Sequence, residues 1–485
     1  MEEFSLEIVA VKSIKGVFAL VSRTFLIQIL SVVASFILTV YLTPANYGVF
    51  FVVSSIIVFL TYFQDIGLAA ALVQKKEAVT TEELRTTFTL QQIIVLCLIL
   101  PTLLFSSQIS AFYRLNQAGF LLFLSLLFSF FTSSLRTIPT IMMERSLNYK
   151  RLVIPEIVEN LVYNIALIFF AVSGFGITTF TIAVLARSVV GLIATYIVQP
   201  WPIGISFDFK SIKKLFSFGI PYQTNTFLAL FKDNLLTIYI GKVLPFTEVG
   251  YIGFAQKWAF LPLRLIMDNV IRIAFPSMSR LQHDRDALRT GIEKSLFLVS
   301  FFIFPIAVAI VEFSPFLVSF IPRYEKWQPA LLALSFYALS TVFSSISTPL
   351  TNFLTAIGKV KITLYFMVFW TATTWILTPL FIFKFGYNGV AAASFLVSIT
   401  SILVFIISRR YIEFSFVKPV ARQLLAAIIM FVFIFFTKFI IHDFLSLTML
   451  ILVSSLLYLA VLFALAGEEL VKTFKFIIIS IRSKS

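Results

Sequence analysis

The chain has 485 residues, of which 59% are hydrophobic and only 13% charged. A soluble globular domain carries about 25% charged residues, so a soluble protein is excluded. The net charge of +15 would suggest nucleic acid in a soluble chain, but the basic residues fall between apolar runs, and no nucleic-acid partner is expected. One cysteine (Cys97) and two histidines (His283 and His442) leave no disulfide framework and no thiolate metal site; neither a metal nor a cofactor is expected.

The first stretch, MEEFSLEIVAVKSIKG, is acidic and then mildly basic. It lacks a small-residue cleavage site and reads as a retained amphipathic lead into the first span. Apolar runs of about 20 residues then follow one another, the length a bilayer core of about 30 Å requires. They are centred near Leu30, Ile57, Leu96, Phe128, Ala166, Ser188, Ala229, Leu261, Ile303, Ser340, Thr371, Val397, Met430 and Leu456. The fold class is therefore an all-α polytopic membrane protein of about fourteen transmembrane helices. The connections alternate between rich and poor in Lys and Arg, by roughly fourfold. The positive-inside rule then places both termini in the cytoplasm, and the closing KTFKFIIISIRSKS reads as a basic helix on that leaflet.

A turn occurs twice. YLTPANYGVF begins at Tyr41 and VLPFTEVGYI at Val243. Leu42 falls on Leu244, Tyr47 on Val249 and Gly48 on Gly250. One span later Asp65 falls one residue out of register with Asp268. SGFGITTFTIAVLA similarly matches FKFGYNGVAAASFL. Both pairs are an even number of spans apart, which describes a parallel repeat. The expected organisation is two pseudo-symmetric six-helix lobes around a central cavity, residues 1–200 and 201–413, two appended helices over 414–466, and a basic tail over 467–485.

The segments YLTPANYGVF, FQDIGLAAALVQKKE, ERSLNYKRLVIPEIVEN, FGIPYQTNTFLALFKDNLLTIYIGKVL and AQKWAFLPLRLIMDNVIRIAFPSMSRLQ together resemble the polysaccharide-transport branch of the multidrug/oligosaccharidyl-lipid/polysaccharide exporter superfamily, the Wzx-type flippases. The resemblance covers about the first two-thirds of the chain and continues by topology. It implies a flippase that moves a polyprenyl-diphosphate-linked oligosaccharide across the cytoplasmic membrane by alternating access, for cell-surface polysaccharide synthesis such as O-antigen. Partners implied are the lipid-linked substrate, membrane lipid, and a polysaccharide polymerase with its chain-length machinery.

Charges at bilayer depth are costly and face a cavity or a partner. In the first span Arg23 fits either a snorkelling side chain at the cytoplasmic end or, through the basic residue that related lipid II flippases carry there, a headgroup ligand. Asp65 and Gly67 are expected to pin the end of the second span. In the fifth span Glu156, Asn160 and Asn164 recur every four residues with Glu159 nearby; this face fits a sugar, a coupling cation or interhelical hydrogen bonds, and Arg136 and Arg187 are available to neutralise its carboxylates. In the seventh span Gln223 and Asn225 follow Pro221, and Lys232 lies seven residues after Asn225 on the same face, a cavity-lining pattern. Asp233 is expected to pair with another helix.

The eighth span carries Lys257, Arg264, Asp268 and Arg272 at spacings of seven, four and four, which puts them along one stripe. Three cations against one carboxylate suit a diphosphate, which arginine grips in bidentate fashion. The alternative is an ion-pair ladder or snorkelling cations. Asp268 and Arg272 are read as structural; Lys257 and Arg264 are read as substrate ligands. No catalytic residue is expected, because the chain has no P-loop, no H-E-x-x-H, and its histidines fall in loops. The rival functions are a cation-coupled multidrug exporter of the same superfamily and a non-transport scaffold of a polysaccharide assembly complex. The basic excess of the C-terminal half favours an anionic substrate.

Overall fold

The computed structural model describes residues 25–482 apart from 66, 76, 147 and 209–229. Among the described residues every regular element is a helix. Eleven are long and apolar enough to cross a bilayer. The remaining expected spans correspond to α1 (Phe25–Tyr41), to a segment resuming at the π-turn Phe231–Leu235, and to a 35-residue helix, Phe246–Arg280, interrupted by charges. The chain forms two compact units, residues 1–250 and 251–485.

In the first unit the helix starts are written in capping residues. Thr43 accepts a hydrogen bond from the Asn46 N–H at 3.3 Å and opens α2 (Pro44–Tyr62), with Pro44 where no N–H is needed. After α3 (Leu68–Gln74), Thr80 and Glu83 form a reciprocal capping box that opens α4 (Thr81–Leu104). A short α5 (Ser106–Tyr113) leads to α6 (Gln117–Leu135), capped by the Asn116 carboxamide at 2.8 Å from the Gly119 nitrogen. Then come α7 (Thr137–Arg145), α8 (Tyr149–Val172) and α9 (Thr178–Val198). The extended stretch after α9 lies on α4. Trp201 meets Phe88 edge-on at 5.2 Å, and the Asp208 N–H donates to the Thr86 hydroxyl at 3.2 Å.

The π-turn runs into α10 (Leu236–Val243), which packs on α2 with Gly241 against Val52. The repeated turn is reciprocal in space. A Cβ on Gly48 would strike the Phe246 carbonyl oxygen, and a Cβ on Gly250 would strike the Pro44 carbonyl oxygen. Each struck carbonyl lies four residues before the other glycine, so each copy of the turn receives the other's backbone in the same way. Backbone approach this close is possible only without side chains.

The second unit begins within α11 (Phe246–Arg280). It continues through α12 (Arg285–Phe320), a 3₁₀ turn (Glu325–Ala330), α13 (Leu331–Ala356), α14 (Val360–Phe385), α15 (Tyr387–Ile399), α16 (Ile402–Ser408), α17 (Arg422–Thr437) and α18 (Phe444–Arg482). Its core joins α12, α13, α17 and α18 through Phe304, Phe313, Leu350, Phe353, Met430 and Leu462, all nearly inaccessible. The second matched pair of segments also shares backbone geometry, with Gly176 at φ +57 and Gly386 at φ +58.

Candidate functional site

α11 is about 50 Å long at 1.5 Å per residue, more than the apolar thickness of a bilayer. One face is packed: Phe254 stacks on Trp327 at 4.3 Å, Gln256 donates to the Tyr337 hydroxyl at 3.0 Å, and Ala259 and Met267 are buried. The other face is exposed and polar. Lys257, Arg264, Asp268 and Arg272 all lie on it. Among the described residues no ion pair joins Asp268 to either arginine four residues away. The ion-pair ladder is therefore not formed. Exposed pairs of this kind gain little over hydration. The stripe is left as three cations around one free carboxylate, an open basic surface on a helix of membrane-spanning length.

Lys232 sits in the π-turn before α10, and its ammonium lies 3.9 Å from the Asp233 carboxylate. Asp233 is 73% exposed. Among the described residues the ion pair of Asp233 is with its sequence neighbour rather than with another helix. Arg23, Gln223 and Asn225 lie outside the described residues.

In the first unit Glu159 is 6% exposed and holds two guanidinium groups: that of Arg136, from the α6–α7 junction, and that of Arg187, from α9 at 3.1 Å. Arg136 also donates to the Thr195 hydroxyl at 3.0 Å, and the Arg187 guanidinium lies 5.3 Å from the Tyr163 ring centre. Gly191 leaves room for the cluster, since a Cβ there would lie 2.7 Å from Arg136 Nη1. The expected neutralisation by both arginines falls on Glu159. The amide groups of Asn160 and Asn164 donate to the carbonyls of Glu156 and Asn160, at 2.7 and 2.8 Å. The Asp65 carboxylate accepts from the Ala69 N–H at 2.9 Å, capping α3 after the left-handed Gly67.

Several polar groups escaped the sequence reading. Gln91 donates to Thr137 at 2.8 Å, while Ser133 and Ser134 donate to Gln64 and Gln92 at 3.2 Å, forming a polar layer between the turn after α2, α4, α6 and the start of α7. Arg145 donates to the carbonyls of Leu72, Lys75 and Glu77 and shapes the chain after α3. Glu312, buried within α12, pairs with Lys438 at 3.2 Å. A glutamate inside an apolar run was a visible signal for that pair, but its partner lies 126 residues away.

Residues 37–332 match the profile of a family described as polysaccharide biosynthesis protein. The chain is 25% identical over 361 residues to the teichuronic acid biosynthesis protein TuaB of Bacillus subtilis (strain 168), covering 73% of this chain and 72% of that one. It is 26% identical over 219 residues to the lipopolysaccharide biosynthesis protein WzxC of Escherichia coli (strain K12), covering 45% and 42%. Its fold is similar to that of the lipid II flippase MurJ in an inward closed conformation, with a TM-score of 0.77 at 18% identity, over 92% of this chain and 98% of that one.

Proposed function

The chain belongs to the polysaccharide biosynthesis protein family, and from that membership together with the basic face of α11 we propose that it translocates a polyprenyl-diphosphate-linked oligosaccharide across the cytoplasmic membrane by alternating access. The carrying observation is the exposed stripe of Lys257, Arg264 and Arg272 around the unpaired Asp268. In lipid such a face would be expelled, so it needs an aqueous or anionic neighbour. Arg264 and Lys257 take the diphosphate in place of water. Lys232, Arg23, Gln223 and Asn225 are the further candidates for substrate binding. Asp268 and Arg272 hold the local charge balance.

The prenyl tail stays in lipid while the sugar crosses. Net movement requires the substrate to bind the inward and outward states with different affinity. Both termini lie in the cytoplasm, and the division into residues 1–200 and 201–413, with 414–466 appended and 467–485 as tail, belongs to the same reading. Released outside, the saccharide is delivered to a polymerase and its chain-length machinery. Glu156, Asn160 and Asn164 are the candidates for contact with sugar or a coupling cation, with Glu159 acting through its arginine pairs. The chemistry is transport, without a catalytic residue.

The test is a flip assay in liposomes holding a polyprenyl-diphosphate oligosaccharide, with exposure read by a membrane-impermeant sugar-modifying enzyme. Fast equilibration is expected with the native chain. Arg264→Ala and Lys257→Ala are expected to slow it about ten-fold or more, the loss of roughly one charge-assisted hydrogen bond each. Equal rates with and without protein, under an imposed ion gradient, overturn the function. Fast flipping that ignores both substitutions overturns the site.

A further inference from the structure

In the second unit α14 packs along α15, and α15 ends at Ile399. Thr400 and Ser401 turn tightly, their N–H groups donating to the Val397 and Ser398 carbonyls at 3.1 and 3.0 Å. The chain resumes as α16, which packs on α13. The face of α14 beside α16 is thereby left open as a cleft of about 390 Å³, within the roughly 300–1,000 Å³ usual for ligand sites. Its walls are apolar, with Tyr365 and Phe369 on one side and Leu403 and Ile407 on the other. Trp370 donates to the Thr400 hydroxyl at 3.0 Å where the helices part.

The other end is cationic. Arg410 and Tyr411 line it, and the Lys359 ammonium lies 5.3 Å from the Tyr411 ring centre. Lys361 and Arg409 are exposed close by in the chain. No carboxylate is among the lining residues. Tyr365 is 70% exposed and Leu403 44%, so the trough is open along its length to the surroundings of the helices. An apolar trough ending in exposed cations, at the end the positive-inside rule assigns to the cytoplasm, complements an acyl chain joined to an anionic headgroup.

We propose that this cleft is a binding site for an anionic phospholipid of the cytoplasmic leaflet, its acyl chain between α14 and α16 and its phosphate at Arg410 and Lys359. The site is separate from the α11 stripe and does not depend on the flippase reading. Lipid retention by the purified full chain, taken from vesicles of equal parts phosphatidylglycerol and phosphatidylethanolamine, tests it by native mass spectrometry. Phosphatidylglycerol is expected to be retained in preference. Lys359→Gln and Arg410→Gln are each expected to weaken its retention about five-fold, the effect of one cation at a membrane surface. Leu403→Trp fills the trough from its open side and is expected to reduce retention with both cations in place. Equal retention of the two lipids overturns the proposal, as does retention indifferent to Leu403→Trp in a protein with unchanged thermal unfolding. Displacement of phosphatidylglycerol by polyprenyl diphosphate at a lower concentration than by added phosphatidylglycerol also overturns it, by assigning the trough to a prenyl tail.

Discussion

Glu159 is held by two arginines, and that arrangement decides what its substitution does. Removing one member of a buried ion pair strands its partner, at a cost of about 3–5 kcal/mol when the partner is fully buried. Here the Arg136 side chain is 20% exposed and that of Arg187 41%, so water recovers part of the loss. Glu159→Gln is expected to destabilise the protein by on the order of 2–3 kcal/mol. Arg136→Gln should cost less, because Glu159 keeps Arg187, and Arg187→Gln least of all. Thermal unfolding of the detergent-solubilised chain checks this order. A ligand for a coupling cation would behave differently: Glu159→Gln would abolish the response of transport to an ion gradient while leaving the unfolding temperature nearly unchanged. The carboxylates and arginines were visible in the sequence as charges inside apolar runs. Pairing of both arginines with this acidic face was expected too, but that Glu159 takes both was not legible, because Arg136 and Glu159 are 23 residues apart and Arg187 comes from a third helix.

At the scale of elements, the two copies of the turn behave as one contact. Gly48 and Gly250 each face a carbonyl of the other copy, so a methyl on either pushes α2 and the start of α11 apart. Overpacking of this kind costs about 1–3 kcal/mol, and Gly48→Ala and Gly250→Ala are each expected to fall in that range. The double variant should cost clearly less than the sum, since the first methyl has already separated the backbones. Gly358→Ala serves as the control. Gly358 has φ +77 but open space around it, so only the left-handed backbone penalty of about 1–2 kcal/mol applies. Strict additivity of the two turn substitutions would show that the crossing is not shared. The repeat itself was legible as Leu42 on Leu244 and Gly48 on Gly250, because the turn residues are fixed by backbone geometry. That the two copies meet was not legible, because an alignment of a chain with itself says which residues are equivalent and nothing about which ones touch. The π-turn at Lys232 was hidden for a related reason. Regular helical spacing assumes 3.6 residues per turn, and an inserted residue breaks the count.

For the molecule as a whole, the bilayer made most of the architecture readable. Its thickness sets the length of each span, while the placement of Lys and Arg supplies an expected direction by the positive-inside rule. α11 was readable for the opposite reason: its charges break an apolar run and leave a polar stripe that packing leaves open. Long-range polar matches such as Glu312 with Lys438 remained hidden, since a single sequence does not say which helices are neighbours. The orientation is open to direct measurement. Cys97 is the chain's single cysteine, so Cys97→Ser gives a background without thiols. His283 and His442 are exposed and stand in connections assigned to opposite sides, one between α11 and α12, the other between α17 and α18. A membrane-impermeant maleimide should label His442→Cys in intact cells. It should reach His283→Cys only in inside-out vesicles. The reverse pattern would invert the orientation and put the basic end of the α14–α16 trough on the outer leaflet. Labelling of both from one side would require an even number of crossings between the two connections in place of the five spans that separate them, and with it a different path for one of those helices.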